Sequence, residues 1–444
     1  MNYDPQPTTS PVTVCPALTL PVEIISKIFL FCVSAGDITS ELGNPLNNPP
    51  FVLTKICRYW RLIALSMGPG FWSNIQLEFG GRHGRRTGHI DSWWLSFLKT
   101  WFSRARDQPL TVVISNLNHI DPDQGLVPLL ESHRLQWRDL TIKLPFNRFY
   151  QFAPQEKLPI LERLVLGAHA IPPMVHTPVT AFQMAPKLKH VCLDGYLRPS
   201  QFILPWAQLT SIELTAACGE DCLECLRQAS RLISCSFGIH GRDQSLGSVP
   251  PHRRVASLAL SGAAPTVILP SIRMPALEDL DIVGRSLNKE ELSRIPLFVS
   301  RCRCGLRRLR LHFISELMTS AAIELLEALP SLETLELAAT GASTIRTLFS
   351  SLSRYGEPFL PFLRNLSLSH HRMSDDNMRS MFEDMAGLLV RRSAAVPEHV
   401  QLQSFSLTIE SERTVLSSRI IQKLQELADR GMDLNIRNRR ERWI

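Results

Sequence analysis

The chain of 444 residues is too long for one compact core, so we expect two or more structural units or an extended array. Hydrophobic residues make up 44% of it and charged residues 20%, a balance that excludes an intrinsically disordered protein. The net charge of +7 at pH 7 is mildly basic, which leaves nucleic acid or an acidic protein open as a partner.

Residues 1–17 are rich in Pro, Thr and Ser without periodicity, which predicts a flexible leader. The opening MNYDPQPTTSPV has no basic region of the kind that begins a secretory signal. The apolar stretch Leu20 to Val33 contains Glu23 and Lys27 and is shorter than the roughly 20 residues of a membrane span. We therefore expect a cytoplasmic or nuclear protein, with no membrane partner and with reduced cysteines.

The first ordered element is predicted to be a helix that begins near Leu20. Pro21 suits the first helical turn, where its missing N–H is not needed. Ile24 and Ile28 form one i, i+4 row, and Ile25 and Phe29 form the next. The pattern predicts a helix with a broad apolar face.

A loop is predicted from Ser34 to Pro50, and an amphipathic segment follows from about Phe51 to Leu65. Residues that share the apolar face of this segment are Leu53, Ile56, Cys57, Trp60, Ile63 and Ala64. A turn then presents Phe71 and Trp72, and a short extended piece contains Ile75 and Leu77. So few short helices make a marginal core, which indicates that part of the apolar surface needs a partner.

The motifs Leu-Pro-x-Glu-Ile-Ile-x-x-Ile-Phe, Ile-Cys-Arg-x-Trp-Arg-x-Ile-Ala and Phe-Trp-Ser-x-Ile in residues 18–79 resemble the F-box, in the variant abundant in mushroom-forming fungi. The resemblance implies a small all-helical module that docks on the Skp-type adaptor of a cullin–RING ubiquitin ligase. It further implies that adaptor-binding or supporting residues are Leu20, Pro21, Ile24, Ile25, Ile28, Leu53, Ile56, Cys57, Trp60 and Trp72. The Ser34–Pro50 insert departs from the family pattern. The alternative is that these apolar residues only cap the segments that follow.

Residues 80–135 are predicted to form a connecting segment and a first capping unit. Trp94, Leu98 and Trp101 lie on one helical face between Ile90 and Ala105, which is most simply a core-facing helix. Leu110 to Ile114 is predicted to be a strand.

Residues 136–444 repeat the pattern L-x-x-L-x-L. Clear copies start at 161, 188, 209, 255, 277, 306, 332, 363 and 402, and weaker copies at 137 and 232. Most spacings fall in the roughly 20–29 range of leucine-rich repeats, which the pattern resembles although the Asn usual after L-x-L is missing. The resemblance implies an α/β solenoid with a parallel sheet and helices behind it. Helices are predicted from an Asn288/Glu291 capping box to about Val299, over Ala321–Leu329, and from Ser374.

In such a solenoid the residues that flank the inward leucines face the open side of the sheet. Asp279 and Asp281 would then lie beside Arg308, Arg310 and His312 on the next strand. One interpretation is a charge ladder that only pairs and solubilises the sheet, and we slightly favour it. The other is a patch that binds a target protein.

Few residues point to chemistry. Cys218, Cys222 and Cys225 are spaced C-x₃-C-x₂-C, short of the four ligands of a zinc site, and their helical spacing suits core packing. Basic clusters at 82–86 and 437–442 lack interleaved aromatic residues, so we favour solvated segments over nucleic-acid binding. With no catalytic motif recognised, we expect no enzyme and no cofactor or metal.

Together these patterns predict a non-catalytic substrate receptor of a Skp–cullin–F-box type ubiquitin ligase, whose repeats bind a target protein. The first alternative is a repeat scaffold without a ligase, in which the apolar face of residues 20–64 is buried against the repeats. The second is a nucleic-acid-binding protein, whose binding would depend strongly on salt.

Overall fold

The computed structural model describes residues 16–34, 49–79, 93–116, 125–154, 156–168, 177–241, 246–314, 318–353, 359–370, 375–393, 400–410, 416–438 and 442–444. The chain divides into two units. Unit 1 comprises residues 1–170 with 184–187, and unit 2 comprises 171–183 with 188–444. Most of the predicted leader, most of the 34–50 insert, the basic cluster at 82–86 and the cap at Ser374 lie outside the described residues.

The secondary structure alternates between strands and helices over most of the chain. The strands are β1 Asn74–Phe79, β2 Leu110–Asn116, β3 Trp137–Lys143, β4 Arg163–Ala168, β5 His190–Gly195, β6 Ser211–Ala217, β7 Ser234–Ile239, β8 Ser257–Gly262, β9 Asp279–Leu287, β10 Arg308–Ile314, β11 Thr334–Ala338, β12 Asn365–His370, β13 Ser404–Ile409 and β14 Asp433–Asn438. The helices are α1 Val22–Ser34, α2 Pro49–Ile56, α3 Arg58–Ser66, α4 Trp93–Ala105, α5 Leu126–Glu131, α6 Gly219–Gln228, α7 Lys289–Cys302, α8 Thr319–Glu327, α9 Ala342–Leu352, α10 Asp375–Arg392 and α11 Ser418–Asp429.

Unit 1 begins with three helices and continues into a parallel sheet. Its strands β1 to β4 pair in chain order. Apolar residues in register, such as Ile75, Val112 and Leu140, are buried on the same face of this sheet. The extended piece predicted at Ile75 and Leu77 is β1, so the range 18–79, predicted to be a helical module, ends in a strand of the sheet.

Unit 2 carries strands β5 to β14, which are also parallel and pair in chain order. The leucines of the repeated pattern stack in layers because each strand keeps the register of the one before it. Leu309 is in register with Leu335 on the next strand, and Leu335 is in register with Leu366 on the strand after it. All three side chains are buried. The protein is therefore α/β and solenoid-like within each unit, as the repeated pattern predicted.

Helices in unit 2 connect successive strands, and α7 to α11 pack against one another in chain order. The predicted capping box opens α7: Asn288 Oδ1 accepts from the Glu291 N–H at 2.9 Å, and Glu291 Oε2 accepts from the Asn288 N–H at 3.1 Å. The capping box thus gives hydrogen-bond acceptors to two N–H groups at the start of the helix that would otherwise lack partners. The helix predicted over Ala321–Leu329 is present as α8.

Candidate interaction surfaces

Helices α1, α2 and α3 of unit 1 pack around aromatic side chains. The Phe29 ring meets the Trp60 ring edge-on with centroids 5.1 Å apart, and it stacks on Phe71 at 6.4 Å. Phe29 and Phe71 are buried, whereas Trp60 is half-buried. The helices therefore have a small inner core, and each still presents an outer face.

The predicted amphipathic segment 51–65 is two helices, because the chain leaves helical geometry at Cys57. Cys57 has extended backbone angles, φ −156° and ψ 169°, and its Sγ accepts from the Trp60 N–H at 3.4 Å. It is thus the N-cap of α3. Ile56, predicted on the apolar face of this segment, is the last residue of α2 and is 54% exposed.

The residues that the F-box resemblance implies for adaptor binding divide by burial. Ile25, Leu53 and Trp72 are buried within the fold and can only support the surface. Leu20, Cys57 and Trp60 are half-buried. Pro21, Ile24, Ile28 and Ile56 are exposed and available to a partner.

Exposed apolar side chains concentrate on this helical segment. Of the twenty exposed large hydrophobic residues within the described part of the chain, eleven fall between residues 18 and 65: Leu18, Val22, Ile24, Ile28, Leu30, Phe31, Val52, Ile56, Tyr59, Leu62 and Leu65. We call this set the apolar surface. Such a concentration on a folded unit is typical of a protein-binding surface rather than of scattered surface residues.

Eight members of the apolar surface were not named from the sequence as adaptor-binding, and Phe31 and Leu62 are the most exposed of these eight. Phe31 is 77% exposed and continues the Ile24–Ile28 row at i+7 on α1, and Leu62 is 69% exposed on α3. Helical spacing could have placed Phe31 on that row. Spacing alone does not tell an exposed apolar row from a buried one, so the exposure itself had no sequence signal.

A second aromatic cluster joins α2 to α4 and to the turn that contains Trp72. Phe51 of α2 stacks on Trp101 of α4 with centroids 5.2 Å apart, and Trp101 meets Trp72 edge-on at 5.5 Å. The Trp101 indole N–H donates to the Trp72 carbonyl oxygen. Arg104 lies over the Trp72 ring at 4.5 Å, and burial together with the charge of Arg61 lowers the pKa of Arg104. The side chain of Trp94, predicted on this face, lies outside the described residues.

The second candidate surface is a charge ladder on the open face of unit 2. Register pairs Arg308 with Asp279 and Arg310 with Asp281, as the sequence predicted. The Arg308 guanidinium donates to both carboxylate oxygens of Asp279. Arg310 donates from Nη1 to Asp281 at 3.1 Å and from Nε to Glu336 at 2.7 Å.

The members of the charge ladder remain partly exposed, so they are accessible to a partner while they bind one another. Hydrogen bonds to Asp279 raise the pKa of Arg308, and hydrogen bonds to Glu336 raise the pKa of Arg310. His312 lies further along β10, in register with Val283 and Ala338, which carry no charge. The cross-strand ion pairs agree with a ladder that only stabilises the sheet. The ladder also lies on the open face of the sheet, where a target protein could bind it.

The cysteine cluster is a packing feature. Cys218 is the N-cap of α6, and its thiol donates to Asp221 Oδ2 at 3.0 Å. Cys222 and Cys225 are buried on the inner face of α6, where burial raises the pKa of both thiols well above the usual range. Within the described ranges, no three His, Cys, Asp or Glu side chains come together as a metal-binding group.

The chain matches no known protein-family model. A search of curated proteins likewise finds no matching sequence. Among the residues that the structure describes, every helix is too short or too polar to cross a membrane.

Proposed function

We propose that the protein is a non-catalytic substrate receptor of a Skp–cullin–F-box type ubiquitin ligase. In this proposal the apolar surface of α1 to α3 docks on the Skp-type adaptor, and the repeats of unit 2 bind the protein to be modified. The observation that carries the proposal is the concentration of exposed apolar side chains on the segment whose motifs resemble the F-box.

Exposure of these apolar side chains to water costs free energy. A large aliphatic or aromatic side chain gains about 1.5–3 kcal/mol when it moves from water into an apolar contact. Ile24, Ile28 and Phe31 lie in one row on α1 and forfeit part of that gain in the isolated chain. A partner groove that covers the row would recover it, and aromatic anchors such as Phe31 are common centres of binding energy.

The alternative of a repeat scaffold without a ligase predicts that the same apolar residues are buried rather than exposed. It requires the apolar face of residues 20–64 to be buried against the repeats. Ile24, Ile28 and Ile56 are instead 42%, 40% and 54% exposed. This exposure favours the ligase-receptor proposal over a plain scaffold.

The proposal is tested by co-purification with a Skp-type adaptor. Ile28→Asp and Leu62→Asp each place a carboxylate on the apolar surface without entering the core, so both variants should fold and lose the adaptor. Leu297→Asp is the matched control, because Leu297 on α7 of unit 2 is as exposed as Leu62, 69% in each case. We expect the control to retain the adaptor.

Trp60→Ala should also lose the adaptor, because Trp60 positions α3 against α1 through Phe29. Circular dichroism of each variant establishes that the repeats remain folded. Retention of the adaptor by folded Ile28→Asp and Leu62→Asp, or its absence from the folded intact chain, would contradict the proposal and leave the scaffold as the better description.

A further inference from the structure

Strand β14 of unit 2 pairs with β13 along one edge and with residues 442–444 along the other. Its inner edge follows β13 in parallel register from Ser404↔Asp433 to Ile409↔Asn438. An outer edge of this kind carries unpaired N–H and C=O groups, which form a template for another strand.

Residues 442–444 occupy that outer edge, and we call them the edge cap. The Ile436 N–H donates to the Ile444 carbonyl oxygen at 3.2 Å, and the Trp443 N–H donates to the Ile436 carbonyl oxygen at 2.9 Å. Arg437 and Arg442 form an antiparallel bridge, and the Arg442 guanidinium reaches the Leu434 carbonyl oxygen at 3.4 Å. The edge cap therefore binds the main-chain groups that a neighbouring strand would use.

One aromatic contact anchors the edge cap to the helical layer. The half-buried Trp443 ring meets Phe382 of α10 edge-on, with centroids 6.2 Å apart and planes at 87°. Phe382 itself is buried. Removal of the Trp443 ring would loosen the edge cap and leave the core of unit 2 in place.

The exposed row of β14 is self-complementary. Leu434, Ile436 and Asn438 are buried, whereas Asp433, Asn435 and Arg437 alternate with them on the open face. If a second β14 runs antiparallel about a two-fold axis at Asn435, Asp433 of each copy faces Arg437 of the other. Opposite charges directly across two strands stabilise their pairing, and a two-fold axis gives both copies the same contacts.

We propose that the edge cap blocks a dimer edge: once residues 442–444 leave β14, that strand pairs antiparallel with β14 of a second copy of this chain. The N–H and C=O groups of Ile436 can pair only with an extended strand at this edge. The alternation of Asp433 and Arg437 is complementary to the same strand of a second copy. This inference concerns unit 2 alone and does not depend on the ligase-receptor proposal.

The experiment compares the intact chain with a variant that lacks residues 442–444 and with Trp443→Ala. Light scattering after size exclusion measures the oligomeric state, and hydrogen exchange measures protection of the Ile436 amide. We expect both variants to dimerise with a dissociation constant lower than that of the intact chain by about tenfold or more. Trp443→Ala retains the main chain of the edge cap and keeps the test valid if the deletion impairs folding.

Charge reversal in the capless chain tests the two-fold register. Asp433→Arg alone, or Arg437→Asp alone, places like charges opposite each other and should abolish the dimer. A mixture of the two variants restores opposite charges at both positions and should recover a heterodimer. A capless chain that stays monomeric, or a dimer that neither single reversal weakens, would overturn the proposal.

Discussion

Single residues at the ends of neighbouring strands set how closely the repeats stack. Gly262 ends β8 beside Ile239, the last residue of β7. It has φ +117°, and a Cβ there would lie 2.1 Å from the Ile239 carbonyl oxygen. A side chain at this position would therefore meet both backbone strain and a main-chain clash.

We predict that Gly262→Ala lowers the free energy of unfolding of unit 2 by about 1–3 kcal/mol or more. The matched control is Gly305→Ala, because no atom lies within 4 Å of a Cβ built at Gly305. Denaturant unfolding of both variants measures the difference. Equal midpoints for Gly262→Ala and the intact chain would show that the strands separate easily at this point.

The thiols of Cys57 and Cys235 differ in burial. Cys235 on β7 is fully buried, and burial raises the pKa of its thiol to about 12, whereas Cys57 at the start of α3 is half-buried. The usual pKa of a cysteine thiol is 9.0, so the folded state holds the Cys235 proton more tightly than the unfolded state does. Its contribution to stability is complete below pH 9 and is lost as the pH rises toward 12.

We predict that a thiol-alkylating reagent modifies Cys57 well before Cys235 in the folded protein at pH 8.5. Mass spectrometry of peptides from a time course measures the two rates, and denatured protein provides the control in which both thiols react. Cys235 should remain protected at pH 10, provided that unit 2 stays folded. Equal rates in the folded protein would contradict the burial of Cys235.

At the scale of elements, helix α7 begins where its capping box forms. Asn288 and Glu291 exchange hydrogen bonds between side chains and main chain. We predict that Asn288→Ala destabilises unit 2 by about 1 kcal/mol, whereas Asn288→Gly costs only a few tenths. Thermal or denaturant unfolding measures both variants. Unchanged stability of Asn288→Ala would mean that α7 does not depend on this cap.

The charge ladder allows its structural and target-binding interpretations to be separated. We predict that Arg308→Ala with Arg310→Ala costs at most about 1 kcal/mol of stability, because the ion pairs are partly exposed, and weakens capture of the target. The measurement is target recovery from a pull-down, normalised to folded protein. Unchanged capture would leave the ladder a structural feature only.

A reciprocal exchange sharpens this test. Asp279→Arg combined with Arg308→Asp keeps an ion pair across β9 and β10 but inverts the charge at each position. A target that recognises the charges of the ladder should no longer bind, although the sheet remains stable. Full capture by the exchanged protein would contradict the target-binding interpretation.

Sequence periodicity was enough to predict most elements, because the leucines that alternate along each strand are also the residues that stack. Leu335 and Leu337 show this for β11, which lies where the pattern placed it. Strand β14 was missed, since Met432, Leu434 and Ile436 supply the same alternation without the repeated leucine pattern. The break at Cys57 was missed as well, because a cysteine Sγ is an unusual cap and the apolar periodicity continues through it.

The candidate surfaces were predictable in position but not in exposure. Register alone placed Asp279 beside Arg308, so the charge ladder followed from the repeat spacing. Which apolar residues of α1 to α3 face solvent depends on tertiary packing. Ile24 and Ile25 are adjacent and equally apolar, yet Ile25 is buried and Ile24 is exposed.

At the scale of the whole molecule, each unit has a distinct task in the proposed function. Unit 1 holds an apolar surface on α1 to α3, and the contact of Phe51 with Trp101 packs α2 against α4. Unit 2 offers an open sheet face with a charge ladder on β9 to β11. One unit would thus bind the adaptor and the other the target, as a substrate receptor requires.

The most direct test of this account is the binding of the purified intact chain to a purified Skp-type adaptor, measured by isothermal titration calorimetry. The account predicts a complex of one chain with one adaptor. It also predicts a negative heat-capacity change, because apolar residues such as Phe31 become buried on binding. The complex should be lost with Ile28→Asp and kept with Leu297→Asp. No detectable binding by the folded intact chain would contradict the account.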